Sequence, residues 1–256
     1  MKLLKSKAHR LLKERANGID LGQLSMITGN QFEHLRRLIK EKNNPTILDL
    51  GCGVGKIAHT LSKETEAEVT GIDASPEFIE QAKYAFGDKI SASIADFDKA
   101  PNDLSMFDII YSVDTLYFSK DLDALITKLH PLLKPNGTLV VFWTQTVDSE
   151  EERTSLLPDK TQLAIAFKKG GMKYSHHNYT TEERNYWKRA HRAIRELEEE
   201  FKKEGELEFY EHFCKETEIL MKSVSRNLIR IYIYEAKAPE RNESSPHSSN
   251  PTPIST

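Results

Sequence analysis

Two rhythms of apolar and polar positions run along this 256-residue chain. Short apolar runs of strand length are separated by longer stretches in which apolar residues recur at helical spacing. From residue 46 the two types take turns. Strands are expected at 46–50, 68–72, 90–95, 107–112 and 137–144, and helices at 55–64, 76–85, 120–133 and 159–169. Such alternation predicts βαβ units and a parallel sheet. Pro76 after Ser75 suits the first turn of a helix, and Pro135-Asn136-Gly137 reads as a turn into the run T-L-V-V-F-W.

After residue 169 the rhythm changes. Gly170-Gly171 closes a helix, and M-K-Y-S-H-H-N-Y reads as a sixth strand. Thr180 or Thr181 is expected to cap a long charged helix reaching about Lys203, with a further helix over about 206–223. N-L-I-R-I-Y-I-Y-E-A then alternates as a strand with one more exposed face. Upstream, residues 1–16 form a basic amphipathic helix with Leu4, Ala8, Leu11 and Leu12 on one face. It reads as a docking helix in preference to a membrane-surface one, because Glu14 and the short length weaken the latter. Asn17-Gly18 ends it. Thr28 or Asn30 caps the next helix, whose buried face is Phe32, Leu35, Leu38 and Ile39. The tail from Pro239 is rich in Ser, Pro and Asn, a composition expected to be disordered.

Composition narrows the function classes. A net charge of −3 with well-mixed signs argues against a general nucleic-acid binder. Two cysteines, Cys52 and Cys214, suggest no disulfide framework. No run is apolar and long enough to span a bilayer, and the N-terminus lacks the apolar core of a secretory signal, so a cytoplasmic protein is expected. No metal-ligand spacing is present, and adjacent His176 and His177 on a strand point to opposite faces.

The candidate chemistry centres on residues 46–56, T-I-L-D-L-G-C-G-V-G-K: strand, glycine turn, helix start. Such a loop turns backbone N–H groups and a helix dipole toward a ligand. The dinucleotide pattern G-x-G-x-x-G fails, since its last glycine falls on Lys56. The phosphate loop G-x-x-x-x-G-K-[ST] fails too, since its first glycine falls on Leu50 and Ile57 follows the lysine. What remains is D-x-G-x-G-x-G, formed by Asp49, Gly51, Gly53 and Gly55.

That pattern resembles the first motif of the class I S-adenosylmethionine-dependent methyltransferases. Three further stretches are similar to the family: G-I-D-A-S-P with Asp73 and Ala74, I-A-D-F with Asp96 and Phe97, and F-D-I-I-Y-S-V-D-T-L-Y with Ser112, Asp114 and Tyr117. The resemblance covers about residues 26–236 as an order of elements. It implies an α/β fold with a seven-stranded, mostly parallel sheet, helices on both faces, the last strand antiparallel, and a helical insertion between strands six and seven. It also implies S-adenosyl-L-methionine as cofactor. Asp49, Gly51, Cys52, Gly53 and Gly55 would sit on its methionine side, Asp73 and Ala74 at the ribose, Asp96 and Phe97 at the adenine, and Ser112 beside the reacting end.

The domain organisation expected is residues 1–45 as helices covering the site, 46–180 with 225–237 as the cofactor-binding core, 181–224 as a helical lid, and 238–256 as a tail. Tyr186, Trp187, Phe209 and Tyr210 of the insertion either line a pocket or only pack. The absence of [ND]-P-P-[YF] after the fourth strand argues, by family comparison, against methylation of a base amine. A small-molecule acceptor with a nitrogen, oxygen or carbon nucleophile is expected, with Asp114, Tyr117 and His176 or its neighbour His177 as candidate catalytic residues. A non-methylating cyclase or lyase and a non-catalytic binding subunit are the rival readings; oligomeric state stays open.

Overall fold

The computed structural model describes residues 6–21, 27–99 and 106–237, apart from the side chain of Asp88. Leu4 and the 238–256 tail lie outside the described residues. Two helices, α1 (Lys7–Asn17) and α2 (Gly29–Lys40), precede an alternating series. It runs β1 (Thr46–Leu50), α3 (Lys56–Thr65), β2 (Glu68–Asp73), α4 (Pro76–Phe86), β3 (Ser91–Ile94), β4 (Phe107–Val113), α5 (Leu122–Leu129), β5 (Leu133–Thr146), α6 (Gln162–Lys169) and β6 (Lys173–Asn178). Then come α7 (Thr180–Glu196), α8 (Glu198–Lys203), α9 (Leu207–Ser225) and β7 (Ile229–Lys237).

The seven strands form one sheet in the order β3-β2-β1-β4-β5-β7-β6. The first five pair in parallel, while β7 runs antiparallel to both β5 and β6. The expected architecture is therefore present. Strand order reverses between β1 and β4, which opens a crevice at their carboxyl ends. Ile47 and Ile109 turn to one apolar layer with α2 and α3, and Leu48 and Ile110 to the other with α5 and α6. A third apolar cluster joins α1 to α7, α8 and α9 through Leu12, Tyr186, Ile194 and Phe201.

Local chemistry explains most boundaries. Thr28 caps α2 in a reciprocal box with Gln31, and Phe32, Leu35 and Ile39 are buried beneath it. Gly18, at φ 77°, ends α1 by bonding back to Glu14. Three expectations fail. Neither Thr180 nor Thr181 caps α7; Tyr179 occupies that position with no side-chain bond, and the Thr180 hydroxyl instead accepts from the Ile231 N–H at 3.1 Å. The long charged helix breaks at Leu197, whose apolar side chain is 1 % exposed and anchors the turn between α7 and α8. Finally, β7 is not the strand with the open face. It lies inside the sheet with Ile231, Tyr232, Ile233 and Tyr234 all buried, and β6 forms the exposed edge.

Candidate active site

The carboxyl ends of β1 to β5 open into one cavity of about 1200 Å3, roofed by α7 and α9. Its floor is mostly backbone. The amides of Gly51 and Cys52 both donate to the Ile72 carbonyl, at 2.8 and 3.0 Å, so the glycine turn is strapped to the end of β2. Gly51 has φ 79°, and a Cβ there would lie 2.8 Å from Thr115. Gly53 has φ 54° and nothing within 4 Å of the position a Cβ would take, so its exposed surface is free for a ligand. Gly55 differs: it is not part of the lining, and it lets α3 approach Ile90 and Ala82.

Carboxyl groups stand at the successive strand ends. Asp49, 3 % exposed, accepts the Tyr111 hydroxyl at 2.6 Å. Burial pushes its carboxyl up to about 7 despite that bond, and neighbouring Asp73 adds to the rise. Ser75 caps α4, and both Asp73 oxygens are engaged, by the Gly53 N–H at 2.8 Å and the Ser75 N–H at 2.9 Å. Each oxygen retains a further lone pair for a ligand hydroxyl. Asp96 accepts the Asp98 N–H at 3.0 Å and lines the cavity with Phe97 and Ala74. The Cys52 thiol is pushed up by burial and by Asp49 and Asp73, so it stays protonated and is no nucleophile.

At the end of β4, Asp114 has φ 54°. Its side chain bonds to Thr144, while Oδ1 is buried without a partner. Burial raises its carboxyl to about 6, with a contribution from Glu216. Tyr117 lines the same region, its hydroxyl pushed up by burial, Asp114 and Glu216.

Two expected residues lie elsewhere. Ser112 is fully buried and donates to Thr115 Oγ1 at 2.5 Å, while Thr115 donates to the Leu50 carbonyl. Ser112 thus positions the Thr115 wall against Gly51 and does not face the cavity. His176 is on the exposed edge strand, where its ring meets Tyr232 and Tyr234, away from the cavity. Its neighbour His177 points to the other face and bonds Glu235 Oε1 at 3.0 Å, an oxygen shared with His34 at 2.9 Å. Three strands, β4, β5 and β7, separate edge strand β6 from the switch point, and neither imidazole lines the cavity.

The roof supplies what sequence reasoning missed. Of Tyr186, Trp187, Phe209 and Tyr210 in the insertion, Trp187 and Phe209 line the cavity, as does Phe213; Tyr186 is packed in the third core and Tyr210 is outside the cavity. Glu183 and Glu216 line it as well. Glu183 is 4 % exposed, bonded to Gln31 and Trp187, and raised to about 8 by burial and by Asp114. Gln31 spends its amide oxygen on Thr28 N–H, which directs its nitrogen to Glu183. The only sequence signal for Glu183 is its i, i+4 spacing to Trp187. Lys56, at the start of α3, is tied to Asp20 by a short ion pair, and Leu21 next to it lines the cavity.

Residues 47–137 match the family model described as a methyltransferase domain. That stretch is about a third of the chain, and it holds the glycine turn and the first four strands. The chain is similar to the sterol 24-C-methyltransferase of Kluyveromyces lactis, 29 % identical over 135 residues that cover 50 % of this chain and 35 % of the relative. It is also similar to phosphoethanolamine N-methyltransferase 3 of Arabidopsis thaliana, 34 % identical over 103 residues, 39 % of this chain and 21 % of that one. The chain spans about a third of the length of the sterol relatives it matches. Among solved structures, phosphoethanolamine N-methyltransferase 2 of Haemonchus contortus, in complex with phosphomonomethylethanolamine and S-adenosylhomocysteine, superposes with a TM-score of 0.76. That likeness covers 91 % of this chain and 58 % of the other at 19 % identity. A putative sarcosine dimethylglycine methyltransferase from Galdieria sulphuraria gives 0.65 at 16 % identity, over 80 % and 83 %. These two likenesses show a shared fold, that of class I methyltransferases. Among the described residues no helix is long and apolar enough to cross a membrane.

Proposed function

We propose that this chain transfers a methyl group from S-adenosyl-L-methionine to a nitrogen, oxygen or carbon nucleophile of a small molecule. One observation carries the reading: Asp49, Asp73 and Asp96 stand at the ends of three adjacent strands, all lining one cavity around an open glycine turn. The fit is chemical as well as spatial. Asp49 suits the cofactor's ammonium, the spare lone pairs of Asp73 suit two vicinal hydroxyls, and Asp96 with the Phe97 amide suits an adenine edge. Gly51, Cys52 and Gly53 supply the flat surface between them, with Ala74 beside the ribose. Gly55 and Ser112 support this surface from behind.

When bound, the cofactor supplies an already activated methyl electrophile, so the protein's task is alignment and exclusion of water. Asp114 and Tyr117 are the groups of this chain held nearest the acceptor, Asp114 as the proton acceptor where the nucleophile arrives protonated. The N-terminal helices and the 181–224 insertion act as the cover. Support for that role comes from the Gln31–Glu183 and Asp20–Lys56 links, which tie the N-terminal segment to the roof and to the glycine turn. A cytoplasmic setting and a partner other than nucleic acid belong to the same proposal; the net charge of −3 and two free cysteines favour them.

Calorimetry with S-adenosylmethionine and product analysis test the proposal. Cofactor binding followed by release of S-adenosylhomocysteine is expected. Release of methylthioadenosine would instead indicate a cyclase or lyase, and absence of binding would leave a non-catalytic scaffold.

A further inference from the structure

The roof end of the cavity has a charge problem. Asp114 from β4, Glu183 from α7 and Glu216 from α9 all line it. They also sense one another: Asp114 raises Glu183, and Glu216 raises Asp114. Asp114 Oδ1 is buried with no partner. The charged groups facing these acids are few. Glu183 meets Asp114, Glu182, Gln31 and Trp187. Glu216 meets His212 and Lys13, and Lys13 is itself held down to about 8 by burial. The lysines that line the cavity stand at the floor: Lys56 is paired with Asp20, and Lys120 lies beside Asp98, on which its charge acts. Among the described residues, the charges that act on Asp114 and Glu183 are acids, so an acceptor carrying phosphate or carboxylate would meet like charge there.

Aromatic rings complete this end. Trp187 and Phe213 lie 6.4 Å apart, Phe213 stacks on Phe209 at 5.6 Å, and Tyr117 meets Trp143 edge-on at 6.4 Å. Carboxyls among aromatic faces bind ammonium groups, by charge and by the ring quadrupole. Apolar acceptors would satisfy the rings and leave Asp114 and Glu183 without counter-charge.

Resting on the methyl-transfer reading above, we infer that the acceptor is a small amine, admitted as a cation between Asp114, Glu183 and Glu216 and the rings of Trp187 and Phe213. The step balances. The ammonium gives one proton to the Asp114 carboxylate, which frees the nitrogen lone pair. That pair forms the N–C bond to the methyl group as the C–S bond breaks, and its electrons stay on sulfur. The methylated ammonium carries the positive charge that the sulfonium loses, and Asp114 returns its proton to solvent. Cation entry stabilises the ionised carboxyls, so binding releases protons near neutral pH.

The test uses two probes of one shape and different charge, choline and 3,3-dimethyl-1-butanol, titrated calorimetrically into the full chain with S-adenosylhomocysteine present. Choline is expected to bind about tenfold tighter or more. Its heat should vary with the ionisation enthalpy of the buffer, showing proton release. Glu183→Gln and Glu216→Gln should each shrink the preference several-fold, with a cooperative melt and S-adenosylhomocysteine affinity retained as checks on folding. Equal affinity for the two probes, or binding of neither, with S-adenosylhomocysteine bound normally, overturns the amine inference alone. A choline preference in a protein that binds no S-adenosylhomocysteine would uphold the cationic site and overturn methyl transfer.

Discussion

The floor of the cavity holds its ligand surface with backbone; the roof holds its own with side chains. On the floor, Gly51, Cys52 and Gly53 are positioned by amides bonded to Ile72 and Asp73, and Asp73 and Asp96 are anchored by N–H groups of neighbouring turns. In the roof, Glu183, Trp187, Phe213 and Glu216 project from helices whose packing sets their place. The difference shows in what each can tolerate. Backbone geometry is broken by adding an atom. A side-chain roof is altered by removing a charge, and the fold beneath it survives.

The first prediction breaks the floor by volume. Gly51→Ala places a Cβ 2.8 Å from Thr115 at positive φ. A loss of about 3 kcal/mol in folding stability is expected from steric strain and overpacking, measured by denaturant unfolding. Gly53→Ala, with open space around it, should cost only about 1 kcal/mol for its φ. Equal costs would show that the Thr115 wall yields.

Charge on the floor comes next. Asp73→Asn and Asp49→Asn should each weaken S-adenosylmethionine binding by about 1–3 kcal/mol, while Glu183→Gln leaves it within experimental error. A cofactor affinity that responds to Glu183 and ignores Asp73 would reverse the assignment of the two ends. Cofactor affinity should also rise with pH through about 7, because Asp49 must ionise to meet an ammonium and burial holds its carboxyl near that value.

The roof is then tested by acid and base. Glu183 moves from 4.5 to about 8 on folding, burial being the main cause. The native state therefore binds more protons than the unfolded chain across that window, and stability falls as pH rises through it. Asp49 acts in the same direction up to about 7. The ligand-free protein should melt lower at pH 8 than at pH 6.5, and Glu183→Gln should flatten the slope. An unchanged slope would mean that Glu183 is ionised throughout.

The smallest effect concerns His9, buried between Phe201 and Phe209 with neither ring nitrogen bonded. Burial lowers it to about 4, so the unfolded chain takes up a proton first and stability is lost as pH falls from 6.5 toward 4. His9→Phe should raise stability at pH 5 by about 1 kcal/mol in the same unfolding measurement.

The contrast also explains what could be read before the structure. The floor follows local rules: an acid, a glycine spacing and a strand end specify Asp49, Gly53 and Asp73 within a few residues of chain. The boundaries of β1 to β4 match within one position for the same reason, whereas β5 begins at Leu133, four residues before the expected start, and takes in the Pro135-Asn136-Gly137 stretch expected to be a turn. The roof follows long-range packing. Glu183 is one acid among many in a charged helix, and its burial depends on Gln31, some 150 residues earlier, and on Asp114. His176 misled because a histidine on a strand carries no mark of which strand will end at the edge. Ser112 misled because alternation along β4 tells which face a side chain takes but not that Thr115 stands in front of it.

Strand β7 occupies the slot between β5 and β6, although it follows both in the chain. On a ribosome, β5 and β6 would therefore emerge with facing unpaired edges and wait through the 50 residues from Tyr179 to Leu228 before the strand that joins them arrives. Until then the backbone groups of Thr138 to Thr146 are an open invitation to a stranger's strand. A nascent chain stalled before Ile229 should be held by chaperones or aggregate, and adding the nine residues of β7 should release it.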